Sequence, residues 1–290
     1  MSAEPASPKG PSLHCASAWP DLVFHVLAHV RASAHLPASV YDPSYVQYAE
    51  HHLGPAAERP LAEDAAILGQ LSQSHDALVR LQLLAWLFRS DEDARPSAPR
   101  DLSELTAAEG ADAALLAELS AAGPAVELLR CAAELERPVH ALLPPLPCDE
   151  QAVAQALAHA VAVAPWLGGA AVTLVRSLRL RGRVRGRDIW VGVPSAALGL
   201  ELAHVIWQAS HEATVAECTA QHAELGLALH SRAIEQVAVV LLGERSQSLG
   251  RHAEHARWLA HFGDHAPSLA RASLRQTERS LLEACLGRPR

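Results

Sequence analysis

Several residue types are scarce or missing in this chain of 290 residues. Lys9 is the only lysine, Met1 is the only methionine, and asparagine is absent. Alanine, leucine, arginine, glycine and proline replace them, a bias typical of a GC-rich bacterial genome. The same bias can supply histidine, so the 17 histidines do not by themselves indicate a metal-binding protein.

Paired cysteine motifs are also missing. The five cysteines are scattered, odd in number, and form neither a Cys-x-x-Cys pair nor a zinc-finger spacing. No basic, apolar leader precedes the chain's first helix, and no hydrophobic run is long enough to cross a bilayer. These features predict a cytoplasmic protein with reduced thiols and no membrane segment.

Excess positive charge is lacking as well. The net charge is −8 and the isoelectric point is near 6.1. A dedicated nucleic-acid-binding protein normally carries a basic surface, so the charge balance argues against that class.

Half of the residues are hydrophobic, and most follow a helical period. We therefore expect a mainly α protein, a multi-helix orthogonal or bundle-like domain with one small β-hairpin at about 171–193. Residues 1–17 are expected to form a disordered lead, 18–146 an N-terminal helical half and 147–290 a C-terminal half, the two halves forming one compact unit. Helices are predicted at 20–33, 42–54, 61–73, 76–89, 101–122, 124–136, 149–164, 198–222, 227–242, 247–261 and 267–286.

The central predicted helix, 198–222, follows the hairpin and carries a polar stripe. At 100° per residue its polar side chains fall within about a third of the circumference. The remaining faces are apolar, so the helix is expected to be buried with a His/Glu site on one side. The stripe consists of Glu201, His204, Gln208, His211 and Glu212.

A second pair of histidines lies on the first predicted helix. His25 and His29 are four residues apart, so their imidazoles share a helix face with the spacing that binds one divalent metal. A third ligand from the central helix, His211, Glu212 or His204, would complete a site. The alternative is that these histidines are hydrogen-bonded members of the core.

Two known metal motifs are half present on the central helix. His211-Glu212 matches the first half of the zincin signature, but Val215 stands where the second histidine would be. Glu201-x-x-His204 matches one half of the pairing used in di-iron four-helix bundles, and a second copy is not evident. Neither half motif names a family.

The run HEATVAECTAQHAELGL, followed by AIEQVAVVLL, resembles the core helix of the alkyl hydroperoxidase D and carboxymuconolactone decarboxylase superfamily. The resemblance implies an all-helical fold with a proton relay. It places His211 and Thr214 at the positions of the family's two cysteines, Cys218 at its histidine, and Glu201 near its glutamate. Neither family cysteine is present, and the match covers less than a sixth of the chain.

Arginines alternate along the predicted hairpin and would share one face of an extended strand. Such a face could bind an acidic partner or an anionic substrate, or it could be a solvated strand surface. The stripe consists of Arg179, Arg181, Arg183, Arg185 and Arg187.

The leading hypothesis is a metal-dependent enzyme acting on a small molecule or modified peptide, by hydrolysis or oxidation. A divalent transition metal (Zn, Fe, Cu or Mn) would be held by His25, His29, His211 and His204, with a general base on the central helix. Glu212 or Glu201 would be that base. The alternatives are a metal-free acid–base or peroxidase-like enzyme of the hydroperoxidase D type, and a non-catalytic helical scaffold; homo-oligomerisation is left open.

Overall fold

The computed structural model describes residues 11–15, 18–29, 43–53, 82–86, 150–178, 182–193, 202–248 and 271–287. Helices make up most of this part, which confirms the mainly α class. The α-helices are α1 (Ala18–His29), α2 (Pro43–Leu53), α3 (Glu150–Ala160), α4 (Leu202–Leu225), α5 (Ser231–Ser248) and α6 (Gln276–Gly287). Short 3-10 helices span Gln82–Trp86, Pro165–Leu167 and Arg271–Ser273.

The β segment is larger than the predicted hairpin. Its strands are β1 (Ser12–Cys15), β2 (Ala171–Val175), β3 (Gly182–Arg185) and β4 (Asp188–Gly192), in the order β1-β2-β4-β3. The expected hairpin is present as antiparallel β3 and β4, whereas β2 pairs in parallel with both β1 and β4. Parallel pairing joins segments distant in sequence, so a local pattern does not reveal it.

Strand β1 corrects part of the expectation for residues 1–17. Ser12 pairs with Ala171 and Cys15 with Leu174, so this stretch is an ordered edge strand and not part of a disordered lead. The strand has four residues, too few to display a period. The other domain boundaries stay a prediction.

Helix α4 packs against one face of the sheet. Side chains alternate along β4, and Ile189 and Val191 join a core with Val205 and Ala209 of α4. Burial of these apolar side chains is the main force that holds the helix on the strands. Helix α3 covers the same core through Leu157.

The opposite face of the sheet carries Trp190, which lies between its two inward neighbours in β4. The Trp190 ring meets Phe24 of α1 edge-on, with ring centroids 5.7 Å apart, and stacks on Trp86 at 4.2 Å. Helices α1 and α4 therefore pack on opposite faces of the sheet.

The second half of α4 forms a separate core with α5 and α6. Cys218 of α4 packs there with Leu241 of α5 and with Leu281 and Cys285 of α6. Gly226 ends α4 in the left-handed region, at φ 59°, as expected of a residue that follows a helix terminus.

The predicted bounds of α2 agree with the structure to within one residue at each end, whereas α6 begins at Gln276, nine residues after the predicted start at 267. α2 begins at Pro43 as predicted, α4 is shifted by about one turn, and α5 continues to Ser248, beyond the predicted end. The predicted helices at 61–73, 101–122 and 124–136 lie outside the described residues.

Candidate functional site at the carboxyl end of the sheet

The carboxyl ends of the parallel strands meet at one edge of the sheet. Ligands of open sheets with parallel strands usually bind at this edge. Two helices reach it here: His204 of α4 lies 3.0 Å from the carbonyl oxygen of Gly192, through Nε2, and Asp21 of α1 binds the backbone that follows β2. We call this region the carboxyl edge of the sheet.

A hydrogen-bonded group of three side chains lies on α4 beside β3. Gln208 Nε2 donates to Glu212 Oε1 at 2.8 Å, and the same carboxylate oxygen lies 3.2 Å from Nδ1 of His211. Gln208 and Glu212 are buried, whereas 15% of the His211 side chain is exposed. One carboxylate oxygen thus contacts both an amide and an imidazole.

Gly182, the first residue of β3, makes room for this group. A β-carbon at Gly182 would lie 2.5 Å from Cγ and 2.6 Å from Oε1 of Glu212, and would also collide with Nε2 of Gln208. A glycine is therefore needed for α4 to lie this close to the strand.

The surroundings of His211 favour its protonated form. Burial lowers the pKa of the imidazole, but the hydrogen bond that the ring donates to Glu212, the negative charge of Glu212 and that of Glu235 outweigh this effect, so the pKa is raised above the usual value. The ring stacks on Trp207, with centroids 5.4 Å apart and planes 15° from parallel. Within the described residues, Nε2 of His211 has no hydrogen-bond partner.

His204 has a different environment. It is 3% exposed, and because a carbonyl oxygen only accepts, the hydrogen lies on its Nε2. That contact attaches the start of α4 to the end of β4 and leaves Nε2 unable to bind a metal.

His25 lies on the other face of the sheet from His211. It is fully buried, and its Nδ1 lies 2.8 Å from the hydroxyl of Tyr45 on α2. The predicted convergence of His25 with the central helix is therefore not found, because α1 and α4 are separated by the sheet. The side chain of His29 and the whole of Glu201 lie outside the described residues.

A metal centre is not evident in the described part of the chain. No group of three or more His, Cys, Asp or Glu side chains lies close enough there to hold an ion. The assignment of His25, His29, His204 and His211 as ligands stays a prediction.

Asp21 binds across the carboxyl edge and not within its own helix. Its Oδ1 accepts from the backbone N–H groups of Arg176 at 2.7 Å and Ser177 at 2.8 Å, and from the Ser177 hydroxyl at 3.0 Å. Burial raises the pKa of Asp21, and this effect exceeds the lowering by these hydrogen bonds and by the charge of Arg176. The sequence offers no local signal for a contact 155 residues away.

Arg176 is a buried residue that sequence reasoning missed. It follows β2 directly and is 4% exposed. Its Nε is buried without a hydrogen-bond partner, and the side chain forms no hydrogen bond or ion pair among the described residues. Burial lowers the pKa of its guanidinium, more than Asp21, Tyr45 and Tyr48 raise it. A charged residue immediately after an apolar strand was the available signal.

The described arginines of the predicted stripe have intramolecular contacts. Arg183 donates to Gln82 and, at 2.6 Å, to the carbonyl of Gly182. Arg187 lies in the hairpin turn and not in a strand; it donates to the carbonyl of Trp166 at 2.9 Å and lies 4.5 Å over that ring. Arg179 and Arg181 lie outside the described residues, so an acidic partner stays a prediction.

Cys218, which the resemblance places at a relay histidine, is fully buried in the second core. Its Sγ lies 3.9 Å from that of Cys285, and no disulfide joins the two residues. The neighbouring thiol, burial and the charges of Cys285 and Glu217 raise the pKa of Cys218. A buried, protonated thiol is unsuited to nucleophilic chemistry.

Comparisons with protein-family models, with curated proteins and with solved structures find no match to this chain. None of the helices in the described ranges combines the length and the hydrophobicity needed to cross a bilayer.

Proposed function

We propose that this protein is an enzyme that uses His211 as a general acid–base on a small molecule or modified peptide, with Glu212 as the residue that positions and charges the imidazole. The contact between His211 Nδ1 and Glu212 Oε1 carries the proposal. It directs Nε2 away from the carboxylate, which is the arrangement by which a His–carboxylate pair exchanges a proton with a substrate.

The environment of the pair supports this role. The His211 side chain is 15% exposed and that of Glu212 is 10% exposed, so the imidazole is the more accessible member of the pair. Oε1 of Gln208 is buried and has no hydrogen-bond partner among the described residues. Buried polar atoms are nearly always satisfied, so this acceptor is suited to a bound water.

A metal-assisted reaction is the second candidate, and the same contact favours it. Metal-binding histidines usually donate their second nitrogen to a carboxylate, as His211 does to Glu212, and bind the ion through the first. The additional ligands would come from side chains outside the described residues, since His25 lies on the other face of the sheet and Nε2 of His204 donates to a carbonyl oxygen. Metal analysis of the purified protein separates the two candidates: the metal-assisted reaction predicts stoichiometric Zn, Fe, Cu or Mn that is lost in His211→Ala.

The catalytic role can be tested without a known substrate. Purified wild-type protein is incubated with a bacterial metabolite extract, and the consumption of each compound is followed by mass spectrometry. We expect His211→Gln to slow the consumption of any wild-type substrate by about 10²-fold or more, the usual contribution of a general acid–base.

His159→Gln is the matched control, since His159 is exposed on α3. It should consume the same compounds at the wild-type rate. Equal rates for wild type and His211→Gln, or no consumption by the wild type, would contradict the proposal.

A further inference from the structure

Arg176 is a buried charge without a counterion of its own. The side chain is 4% exposed, its Nε has no hydrogen-bond partner, and no carboxylate lies within ion-pair distance in the described part of the chain. Removing a guanidinium from water costs several kcal/mol unless it is paired. Folding alone gives no reason to retain this cost.

Asp21, the carboxylate whose charge acts on Arg176, does not form an ion pair with the guanidinium in the described part of the chain. Its Oδ1 accepts three hydrogen bonds from the backbone of Arg176, the backbone of Ser177 and the Ser177 hydroxyl. Asp21 therefore fixes the backbone at the end of β2, while the five N–H donors of the Arg176 side chain remain available to another group.

The position of Arg176 is suited to a ligand. It follows a parallel strand at the carboxyl edge, where open sheets with parallel strands bind theirs. Tyr45 and Tyr48 of α2 are near enough to influence it electrostatically, and the Tyr45 hydroxyl is held by His25.

We propose that Arg176 binds an oxyanion, the carboxylate or phosphate group of a small molecule, at the carboxyl edge between β2 and helices α1 and α2. The planar guanidinium can hold two oxygens of such a group in parallel hydrogen bonds. Binding supplies the missing counterion. This site is independent of the role proposed for His211, since it would exist whether or not that imidazole is catalytic.

The test measures thermal unfolding of the full chain in a buffer free of phosphate and carboxylates. Inorganic phosphate and succinate are added separately, with sodium chloride at the same ionic strength as the reference. We expect at least one anion to raise the Tm of the wild type by about 4 °C or more at saturation. A response to phosphate alone assigns a phosphate group, and a response to succinate alone assigns a carboxylate.

Variants assign the effect to Arg176. Arg176→Met should abolish the anion-dependent rise and, without anion, should unfold at or above the wild-type Tm because an unpaired buried charge has been removed. Arg176→Lys keeps the charge but not the planar fork, and should bind the same anion at least tenfold more weakly in a calorimetric titration. Arg187→Met, at an exposed arginine that contacts backbone carbonyls, should respond as the wild type does.

Three outcomes would overturn the proposal. The first is a wild type that responds to neither anion beyond sodium chloride. The second is an equal response in Arg176→Met. The third is an Arg176→Met protein that unfolds at a Tm well below that of the wild type or fails to fold, because the guanidinium would then have a structural partner. Wild-type affinity of Arg176→Lys for the anion would accompany that result, since the anion would then not be bound by the planar guanidinium.

Discussion

Two arginines are buried to nearly the same extent in this protein, and their surroundings are opposite. Arg245, in the core between α4, α5 and α6, donates to both oxygens of Glu217 at 2.7 and 2.6 Å. Arg176, at the carboxyl edge of the sheet, has no such partner among the described residues. Burial lowers the pKa of both guanidinium groups, but Glu217 reverses the effect for Arg245, so its pKa is raised and that of Arg176 is lowered.

The comparison distinguishes buried charges that serve the fold from those available for function. In a bidentate pair each charge is neutralised by the other, and the geometry of the two hydrogen bonds fixes one packing arrangement. An unpaired guanidinium is costly in the fold and is a candidate for function. The two buried glutamates of α4 differ in the same way, since Glu217 contacts a permanent cation while Glu212 contacts an amide and an imidazole that can exchange its proton.

The largest effect is expected from breaking the ion pair between Arg245 and Glu217. Arg245→Met leaves Glu217 buried without a counterion and should lower the free energy of unfolding by about 3–5 kcal/mol. Arg176→Met should leave it unchanged or raise it. Urea unfolding followed by circular dichroism measures both variants.

A double variant checks the cause. Adding Glu217→Leu to Arg245→Met removes the buried carboxylate that has lost its counterion, and should restore most of the lost free energy of unfolding. If the double variant is as unstable as the single one, the loss comes from packing, and the comparison between the two arginines does not hold.

The next effect concerns the contact between α4 and β3. Gly182→Ala places a β-carbon against Gln208 and Glu212, both buried, so the strand and helix must separate. We expect a loss of about 1–3 kcal/mol in the free energy of unfolding. Gly287→Ala is the control, because nothing lies within 4 Å of its added carbon, and it should be neutral or slightly stabilising. A Gly182→Ala variant with the free energy of unfolding of the wild type would mean that α4 and β3 can lie further apart without loss of stability.

A smaller, pH-dependent effect is expected at Glu212. Because the folded-state pKa of His211 is raised, its pairing contributes stability that is fully present below the unfolded-state pKa and is lost as the pH rises through the folded value. Glu212→Gln should therefore cost about 1 kcal/mol more at pH 6 than at pH 9. If Glu212→Gln lowers the free energy of unfolding equally at pH 6 and at pH 9, the stability from this pair does not depend on protonation of the His211 imidazole.

No reaction is expected at the thiols of the second core. Cys218 and Cys285 are buried, and the raised pKa of Cys218 keeps it protonated. Iodoacetamide at pH 8 should leave both unlabelled in the native protein and label both in urea, as read by peptide mass spectrometry. Native labelling of Cys218 would show that this core opens readily.

Local patterns in the sequence predicted the helices well, because caps and apolar periods act within a few residues. Asp42-Pro43 marked the start of α2, and Gly226 marked the end of α4. The four-residue strand β1 was missed, since its pairing with β2 depends on a segment more than 150 residues away. Parallel sheets depend on such contacts and have little local signature.

The candidate site was predicted in part. The helical period predicted that Gln208, His211 and Glu212 share one face of the central helix, and in the structure hydrogen bonds join them. The structure places His25 on the other face of the sheet from His211, because the predicted hairpin is part of a four-stranded sheet with helices on both faces. Arg176 was overlooked because burial of a charge is a tertiary property, visible only after the strand, α1 and α2 are placed.

The most direct test of the account is the titration of the His211 imidazole by nuclear magnetic resonance, in the wild type and in Glu212→Gln. The account predicts a wild-type pKa above that of an ordinary histidine and a lower pKa in the variant, with Nδ1 carrying the hydrogen bond. A wild-type pKa at or below the ordinary value, unchanged by the substitution, would contradict it.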